Sequence, residues 1–421
     1  MKSNNLKKTI IQTKAASAEL LNLNAKQRSK VLLNLATLLL SQKRQIIKAN
    51  LKDVEMAKKD GRNESFIERL SLDQAKIFSM VDSLKQISAQ PDRLFKTIEQ
   101  RQRPSGLKIK KVVFPIGLVA MIYESRPNVT IDAFALSFKS GNAVILKGGR
   151  EITNTNKILV GLIKKVLAKS AINTNIILDL SSINQKTTLE LVKNEQIDCL
   201  IPRGGKGLIS FVKENSKIPL IITGASVVHT YIDASADLTT AKKIIENAKT
   251  RRVSICNALD VLLLHQKICQ QFLKLITPEL EKKNVEIRAD KNSFAVLKKI
   301  NYQKLKKASA KDFDTEFLDY ILAVKTVNNF NEALEHINKH SLGHSEAIIT
   351  RNKKIADVFF KQIDSACLYL NTSTQFSDGG EYGLGGEIGI STQKLHARGP
   401  FAQEALTTYK YLTESNGAVR K

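Results

Sequence analysis

Tryptophan is absent from the 421 residues, and only four of them are cysteine. None of the four forms a CxxC pair, so neither a disulfide framework nor a zinc ribbon is expected, and a reducing, cytoplasmic setting fits. Long apolar runs are missing as well. Residues 1–20 contain no continuous apolar stretch, and the longest run, 112–123, is short and interrupted by Pro115 and Gly117. Neither a signal peptide nor a membrane span is therefore expected. No internal repeat or low-complexity segment occurs. The strict phosphate-loop signatures, GxxxxGK[ST] and GxGxxG, are also lacking.

Positive charge is in excess. Lys and Arg number 66 against 40 Asp and Glu, a formal net charge of +26. The basic residues are dispersed along helical segments and are not interleaved with aromatics. They read as a solvated lysine-rich surface, and no nucleic-acid partner is expected. Such a field would raise the encounter rate with anionic ligands. The hydrophobic fraction is 43%, and a chain of this length can bury a core in two or three structural units.

Along the chain, residues 1–100 show apolar positions at helical spacing, notably through 31–40 and 66–84. Residues 107–114 alternate with period two. Pro115 and Gly117 then mark a turn before a second strand at 118–123, which predicts an exposed hairpin arm. Beyond it, strands at 143–146, 176–178 and 199–201 alternate with helices, one near 153–168. This predicts a doubly wound parallel sheet. A second alternating stretch predicts another α/β domain: a helix before Cys256, a strand at 261–264, a helix over 266–282, a strand at 321–324 and a helix over 331–339. Residues 405–412 predict a terminal strand.

Cys256 stands in Arg251-Arg252-Val253-Ser254-Ile255-Cys256-Asn257-Ala258-Leu259. The thiolate is the attacking species in acyl transfer, and the adjacent arginines could supply charge that favours it. A buried cysteine beside Val253 and Ile255 is the plainer reading from the local sequence alone. Cys199, Cys269 and Cys367 lie in apolar or helical surroundings and read as core. Two strand-end loops have the character of dinucleotide sites: Leu146-Lys147-Gly148-Gly149 and Ile201-Pro202-Arg203-Gly204-Gly205-Lys206-Gly207. His336, His340 and His344 fall at helical spacing suited to zinc. Ser341-Leu342-Gly343 reads as a helix end that removes His344 from the face, so no metal site is expected. His229 reads as a strand residue, and no Ser/His/Asp motif stands out.

Several longer motifs then carry a resemblance: Phe114-Pro115-Ile116-Gly117-Leu118 through Tyr123-Glu124-Ser125-Arg126-Pro127-Asn128-Val129-Thr130, Lys139-Ser140-Gly141-Asn142 through Lys147-Gly148-Gly149, Ile201-Pro202-Arg203-Gly204-Gly205, and Gly379-Gly380-Glu381-Tyr382-Gly383 through Gly399-Pro400. Collinear over essentially the whole chain, they resemble the γ-glutamyl phosphate reductase family of the aldehyde dehydrogenase superfamily. The resemblance implies an aldehyde dehydrogenase-like α/β fold. An NADP-binding domain would span 1–103 and 122–238 with part of 375–403, and a catalytic domain 239–374. An oligomerisation hairpin and tail would span 104–121 and 404–421.

The resemblance further implies NADPH-dependent reduction of L-glutamate 5-phosphate to L-glutamate 5-semialdehyde, the second step of proline biosynthesis from glutamate. The protein would be a homo-oligomer, with the upstream glutamate 5-kinase as a candidate partner. Cys256 would be the nucleophile, with its backbone amide and Asn128 as oxyanion donors. Lys147, Gly148, Arg203, Gly204, Gly205 and Glu387 would bind the cofactor, and Arg126, Ser373 and Arg398 the substrate. Hydrolytic relatives keep a glutamate base in the stretch corresponding to 222–226, and none stands there here, as a reaction with a phosphate leaving group tolerates. Asp260 replaces a usual glutamate, Glu346 reads equally as structural, and the basic stretch 282–315 matches the family poorly and is left unassigned. Reduction of an acyl-CoA is the alternative.

Overall fold

Leu118–Tyr123, six residues with every side chain buried, is an inner strand of a parallel sheet. The sheet runs in the order Ile177–Asp179, Ala143–Gly148, Leu118–Tyr123, Cys199–Arg203, with all three pairings parallel. Continuous apolar strands suit a parallel sheet because both faces are covered: Pro127–Lys139 and Thr153–Lys169 pack beside each other on these strands, and Ser3–Ser17 also packs on the first three of them. The structure is a computed structural model describing residues 3–420.

The chain divides into two compact units. The first takes the residues up to Thr223, Gly383–Gly389, and those from Pro400 on; the second takes Gly224–Tyr382 and Ile390–Gly399. In the first, helices such as Ala25–Ser41, Lys43–Lys59 and Gln74–Ala89 form the layer that the helical spacing of residues 1–100 predicts. Asn24 opens one of these with a capping box to Gln27. Asp53, buried, accepts from Thr155 N at 2.8 Å and Thr155 Oγ1 at 2.6 Å, tying the Lys43–Lys59 helix to the start of Thr153–Lys169.

The expected hairpin between 107–114 and 118–123 does not form. Lys108–Pro115 instead pairs antiparallel with Thr97–Gln102 on one side and Thr407–Glu414 on the other. An all-apolar strand gains most by burying both faces, so 118–123 enters the parallel sheet, whereas Thr97–Gln102, largely polar and exposed, makes the outer hairpin. The third strand of this small sheet is exposed along most of its length and shows Tyr409 and Tyr411 to solvent. Lys111 lies over the Tyr409 ring at 3.7 Å from its centroid.

The second unit is built on seven parallel strands, in the order Leu305–Lys307, Glu286–Ala289, Ile321–Val327, Val261–His265, His229–Ile232, Ser345–Ile349, Cys367–Leu370. His229–Ile232 was expected with the first domain, inside 122–238. It is hydrogen-bonded instead between Val261–His265 and Ser345–Ile349, because its four buried residues fill the centre of the second sheet. The unassigned basic stretch supplies the far edge: strand Glu286–Ala289, helix Lys291–Lys299 capped by Asp290, and strand Leu305–Lys307. Among the described residues, no helix is long and apolar enough to cross a membrane.

Candidate functional site

Cys256 lies in the second unit, in turns between helix Leu238–Thr250 and strand Val261–His265. It is half-buried, while Cys199, Cys269 and Cys367 are buried. Burial pushes the Cys199 thiol up to about 12 and also raises those of Cys269 and Cys367, so all three are poor thiolates near neutral pH.

The segment 373–377 fastens the Cys256 loop. Gln375, buried, donates through Nε2 to Ala248 O at 3.1 Å and Arg252 O at 3.2 Å, and its Oε1 accepts from Arg251 Nη1 at 3.1 Å. Asn257 donates to Ser377 O at 3.0 Å, and its own carbonyl accepts from Thr374 Oγ1 at 2.8 Å. Ser373, one of the expected substrate residues, is buried and opens the turn Thr374–Phe376 by accepting from Gln375 N at 3.2 Å. Arg251 and Arg252 are exposed.

Ser226, fully buried, hydrogen-bonds the Cys256 carbonyl through its Oγ, which also lies 3.1 Å from Glu316 Oε1. Sequence reasoning missed Ser226, Glu316 and Gln375. Ninety residues separate Ser226 from Glu316, and no local pattern signals such a contact. Asp260 accepts from Val228 N at 3.2 Å and Phe317 N at 3.0 Å. Burial pushes its carboxyl up to about 6, while burial pulls the Lys249 ammonium, which donates to Leu259 O at 2.9 Å, down to about 8. Both groups brace the strand that follows the loop.

In the first unit, the strand ends gather the expected cofactor residues on one edge of the sheet. Tyr123 is in register with Gly148 on one side and Arg203 on the other, so Lys147, Gly148, Arg203, Gly204 and Gly205 share the carboxyl edge with the turn that leads to Arg126 and Asn128. Lys147 donates to Gly148 O at 3.1 Å, and burial lowers its pKa. A Cβ on Gly148 would meet Asn156 Nδ2 at 2.4 Å, and one on Gly204 would meet Glu124 Oε2 at 2.6 Å, so the backbone is close-packed at both loops. Arg203 Nη2 stands 3.9 Å from Glu387 Oε1, a loose pair. Arg203 Nε is buried and finds no hydrogen-bond partner among the described residues. An orphaned guanidinium donor beside glycine loops fits an anionic dinucleotide. Glu124 Oε2 accepts from Gly205 N at 3.0 Å. Asn128, exposed, is the second residue of helix Pro127–Lys139 and donates to Asp132 Oδ2 at 3.3 Å.

Arg398, in the second unit, donates to Asp364 Oδ1 at 2.6 Å and Asp364 O at 3.0 Å. Hydrogen bonds from Lys394 and Arg398 hold the Asp364 carboxyl below its usual range. Arg398 is thus engaged with Asp364 through Nη2.

The three spaced histidines part as the helix ends. Phe330–His340 stops at His340, and His344 pairs with Ser345 Oγ at 2.8 Å. The His336 and His340 rings lie tilted with centroids 4.4 Å apart, and His229 meets His336 edge-on at 5.5 Å. Glu346, buried, accepts from His229 N at 2.7 Å and Ser341 Oγ at 2.5 Å, a structural role. Burial holds His336 down to about 2, helped by His229, Lys325, His340 and Lys339, with Lys325 Nζ 3.1 Å from its Nδ1. The unfolded chain takes up this proton below about pH 6.5 and the folded chain does not, so this contribution to stability is full above pH 6.5 and shrinks as pH falls. Urea unfolding is expected to lose up to about 1.4 kcal/mol per pH unit below 6.5 through this group, and His336→Asn to lose that increment of slope. An unchanged slope would show that other groups govern the acid limb.

Residues 1–314 and 307–387 match the aldehyde dehydrogenase family. The chain is 45% identical over 408 residues to the gamma-glutamyl phosphate reductase of Francisella philomiragia, covering 97% of each chain. It is 46% identical over 410 residues to that of Legionella pneumophila strain Paris, again covering 97% of each. The crystal structure of gamma-glutamyl phosphate reductase from Thermotoga maritima superposes with a TM-score of 0.93 at 39% identity, covering 98% of this chain and 99% of that one.

Proposed function

Because this chain belongs to the aldehyde dehydrogenase family, and within it to the γ-glutamyl phosphate reductases, we propose that it reduces L-glutamate 5-phosphate with NADPH to L-glutamate 5-semialdehyde and phosphate in proline biosynthesis. The observation that carries this reading is the half-buried Cys256 on a loop tied to Gln375, Thr374 and Ser377, while the other three thiols are buried.

The Cys256 thiolate attacks the acyl carbon. A C–S bond forms, the C–O bond to phosphate breaks, and phosphate leaves with the electron pair. NADPH, when bound, supplies the hydride that reduces the resulting thioester. Collapse of the thiohemiacetal then breaks the C–S bond, returning the thiolate and freeing the aldehyde. Both tetrahedral species carry an oxyanion, for which the Cys256 amide and Asn128 are the donors in this reading; one such donor is worth roughly 100-fold or more in rate. Lys147, Gly148, Arg203, Gly204, Gly205 and Glu387 hold the cofactor, an assignment supported by the close-packed glycines and the orphaned Arg203 Nε. Arg126, Ser373 and Arg398 are proposed to serve the substrate anions. The small three-stranded sheet is proposed as the site where copies of the chain associate.

Since the acyl phosphate is labile, the reverse reaction tests the reading: glutamate 5-semialdehyde in equilibrium with its cyclic form, NADP⁺ and phosphate, followed by NADPH absorbance. Phosphate-dependent NADPH formation is expected. No signal from folded protein, or a signal that needs coenzyme A in place of phosphate, would overturn it.

A further inference from the structure

Asn128 can stabilise an oxyanion only through its Nδ2 end. A side-chain amide carries a donor on one side and an acceptor on the other, and half a turn about its last bond exchanges them. With the carbonyl forward it would repel the charge that it is there to meet. Asn128 is exposed at the second position of helix Pro127–Lys139, and among the described residues its side chain makes a single hydrogen bond. That bond governs which end of the amide lies where.

Its acceptor is Asp132, one turn further along the same helix, whose Oδ2 takes Asn128 Nδ2 at 3.3 Å. Residues four apart lie one above the other on a helix face, so the backbone itself brings the two side chains together. The carboxylate is held in turn: Ser83, on helix Gln74–Ala89, donates to Oδ1 at 2.8 Å. Burial raises the Asp132 pKa, and the hydrogen bonds from Ser83 and Asn128 and the charge of Arg203 oppose that rise. An ionised carboxylate only accepts, so it takes an N–H of Asn128 and rejects the carbonyl, while the same nitrogen keeps a second proton for another acceptor. A pair at this spacing adds little to helix stability, which gives small reason to hold a half-buried carboxylate beside a residue that is to meet an anion. Resting on the functional reading above, in which Asn128 donates to the oxyanion, we propose that Asp132 is a positioning residue: it holds the Asn128 amide with Nδ2 as the donor to the acyl oxygen, and Ser83 holds Asp132.

The test is a double-mutant cycle in the reverse reaction, with wild type, Asn128→Ala, Asp132→Leu and the double variant. Asn128→Ala is expected to lose about 100-fold in kcat, the worth of one oxyanion donor. Asp132→Leu should lose about 10-fold in kcat with KM little changed, because an untethered amide spends part of its time with the carbonyl forward. In the Asn128→Ala background the same Asp132→Leu change should cost less than about 2-fold, since there is no amide left to orient. A merely structural carboxylate would cost the same factor in both backgrounds, and that additive result would overturn the proposal. Ser83→Ala, which leaves Asp132 in place but unheld, is expected to repeat the pattern at smaller size, and its cycle with Asn128→Ala decides the matter if Asp132→Leu does not fold.

Two failures are kept apart. Wild-type kcat in Asn128→Ala would sink the donor role of Asn128 and the inference with it, whereas a loss in Asn128→Ala beside wild-type kcat in Asp132→Leu would sink the inference alone. If wild type forms no phosphate-dependent NADPH, the functional reading fails, and the same cycle is read on the acylation of Cys256 by p-nitrophenyl acetate. There a C–S bond forms, the ester C–O bond breaks and p-nitrophenolate leaves with the electron pair, so neither phosphate nor cofactor is needed. A release rate that falls in both single variants and falls no further in the double variant than in Asn128→Ala upholds the inference, and additive losses overturn it.

Discussion

Cys256→Ala protein is expected to form no phosphate-dependent NADPH from glutamate 5-semialdehyde, a loss of at least about 10⁴-fold, because removing a covalent nucleophile leaves only binding and electrostatic contributions. The fold should survive. Cys256 is half-buried, and its loop is held by its carbonyl, by Asn257 and by Gln375, none of which uses the sulfur. Unfolding free energy should therefore stay within about 1 kcal/mol of wild type. Limited iodoacetamide should label Cys256 before the three buried thiols, and mass spectrometry of the modified peptide checks this. Wild-type activity that outlasts complete alkylation of Cys256 would sink the assignment.

Gln375→Ala is expected to weaken both stability and turnover. The amide spans the loop from Ala248 to Arg252, so truncation leaves two carbonyls and the Arg251 guanidinium without this partner. Leaving buried polar groups unmet costs about 1–3 kcal/mol each, and solvent reaching Arg251 offsets part of this, so a loss near 2–3 kcal/mol is expected in urea unfolding. Turnover should fall by about 10–100-fold with a smaller change in KM, since small misplacements of a reacting group are costly in rate. Gln375→Glu keeps the shape but turns an acceptor toward both carbonyls, and should be no better than alanine. Unchanged kcat in a destabilised Gln375→Ala would show that the clamp holds the fold and not the nucleophile.

The alternation of strand and helix from 143 onward was legible because periodicity is local: Ala143–Gly148, Cys199–Arg203 and Val261–His265 each announce themselves within a few residues. The partners of those strands were less legible. Leu118–Tyr123 reads as half of a hairpin until its six apolar side chains are seen to need cover on both faces. His229–Ile232 is too short to declare which sheet it completes. The Cys256 segment stood out in the sequence, but what fixes it did not. Ser226 and Gln375 meet the loop and Glu316 meets Ser226, across separations of 30 to 127 residues, and a lone Ser, Glu or Gln has no pattern of its own. The stretch 282–315 hid a strand–helix–strand edge because its lysines mask the apolar alternation of Val285, Ile287 and Ala289, all buried.

The exposed pair Tyr409 and Tyr411 has an optical consequence. The chain contains eight tyrosines and no tryptophan, so its near-ultraviolet emission comes from tyrosine alone. Tyr123, Tyr231, Tyr302 and Tyr369 are buried, whereas these two face water side by side on the outer strand, with ring centroids 5.7 Å apart. Any copy-to-copy contact made through that sheet would dehydrate both rings at once, and dilution would restore them. The small sheet thus carries a native fluorophore pair through which such a contact would register without a label, in samples free of nicotinamide cofactor.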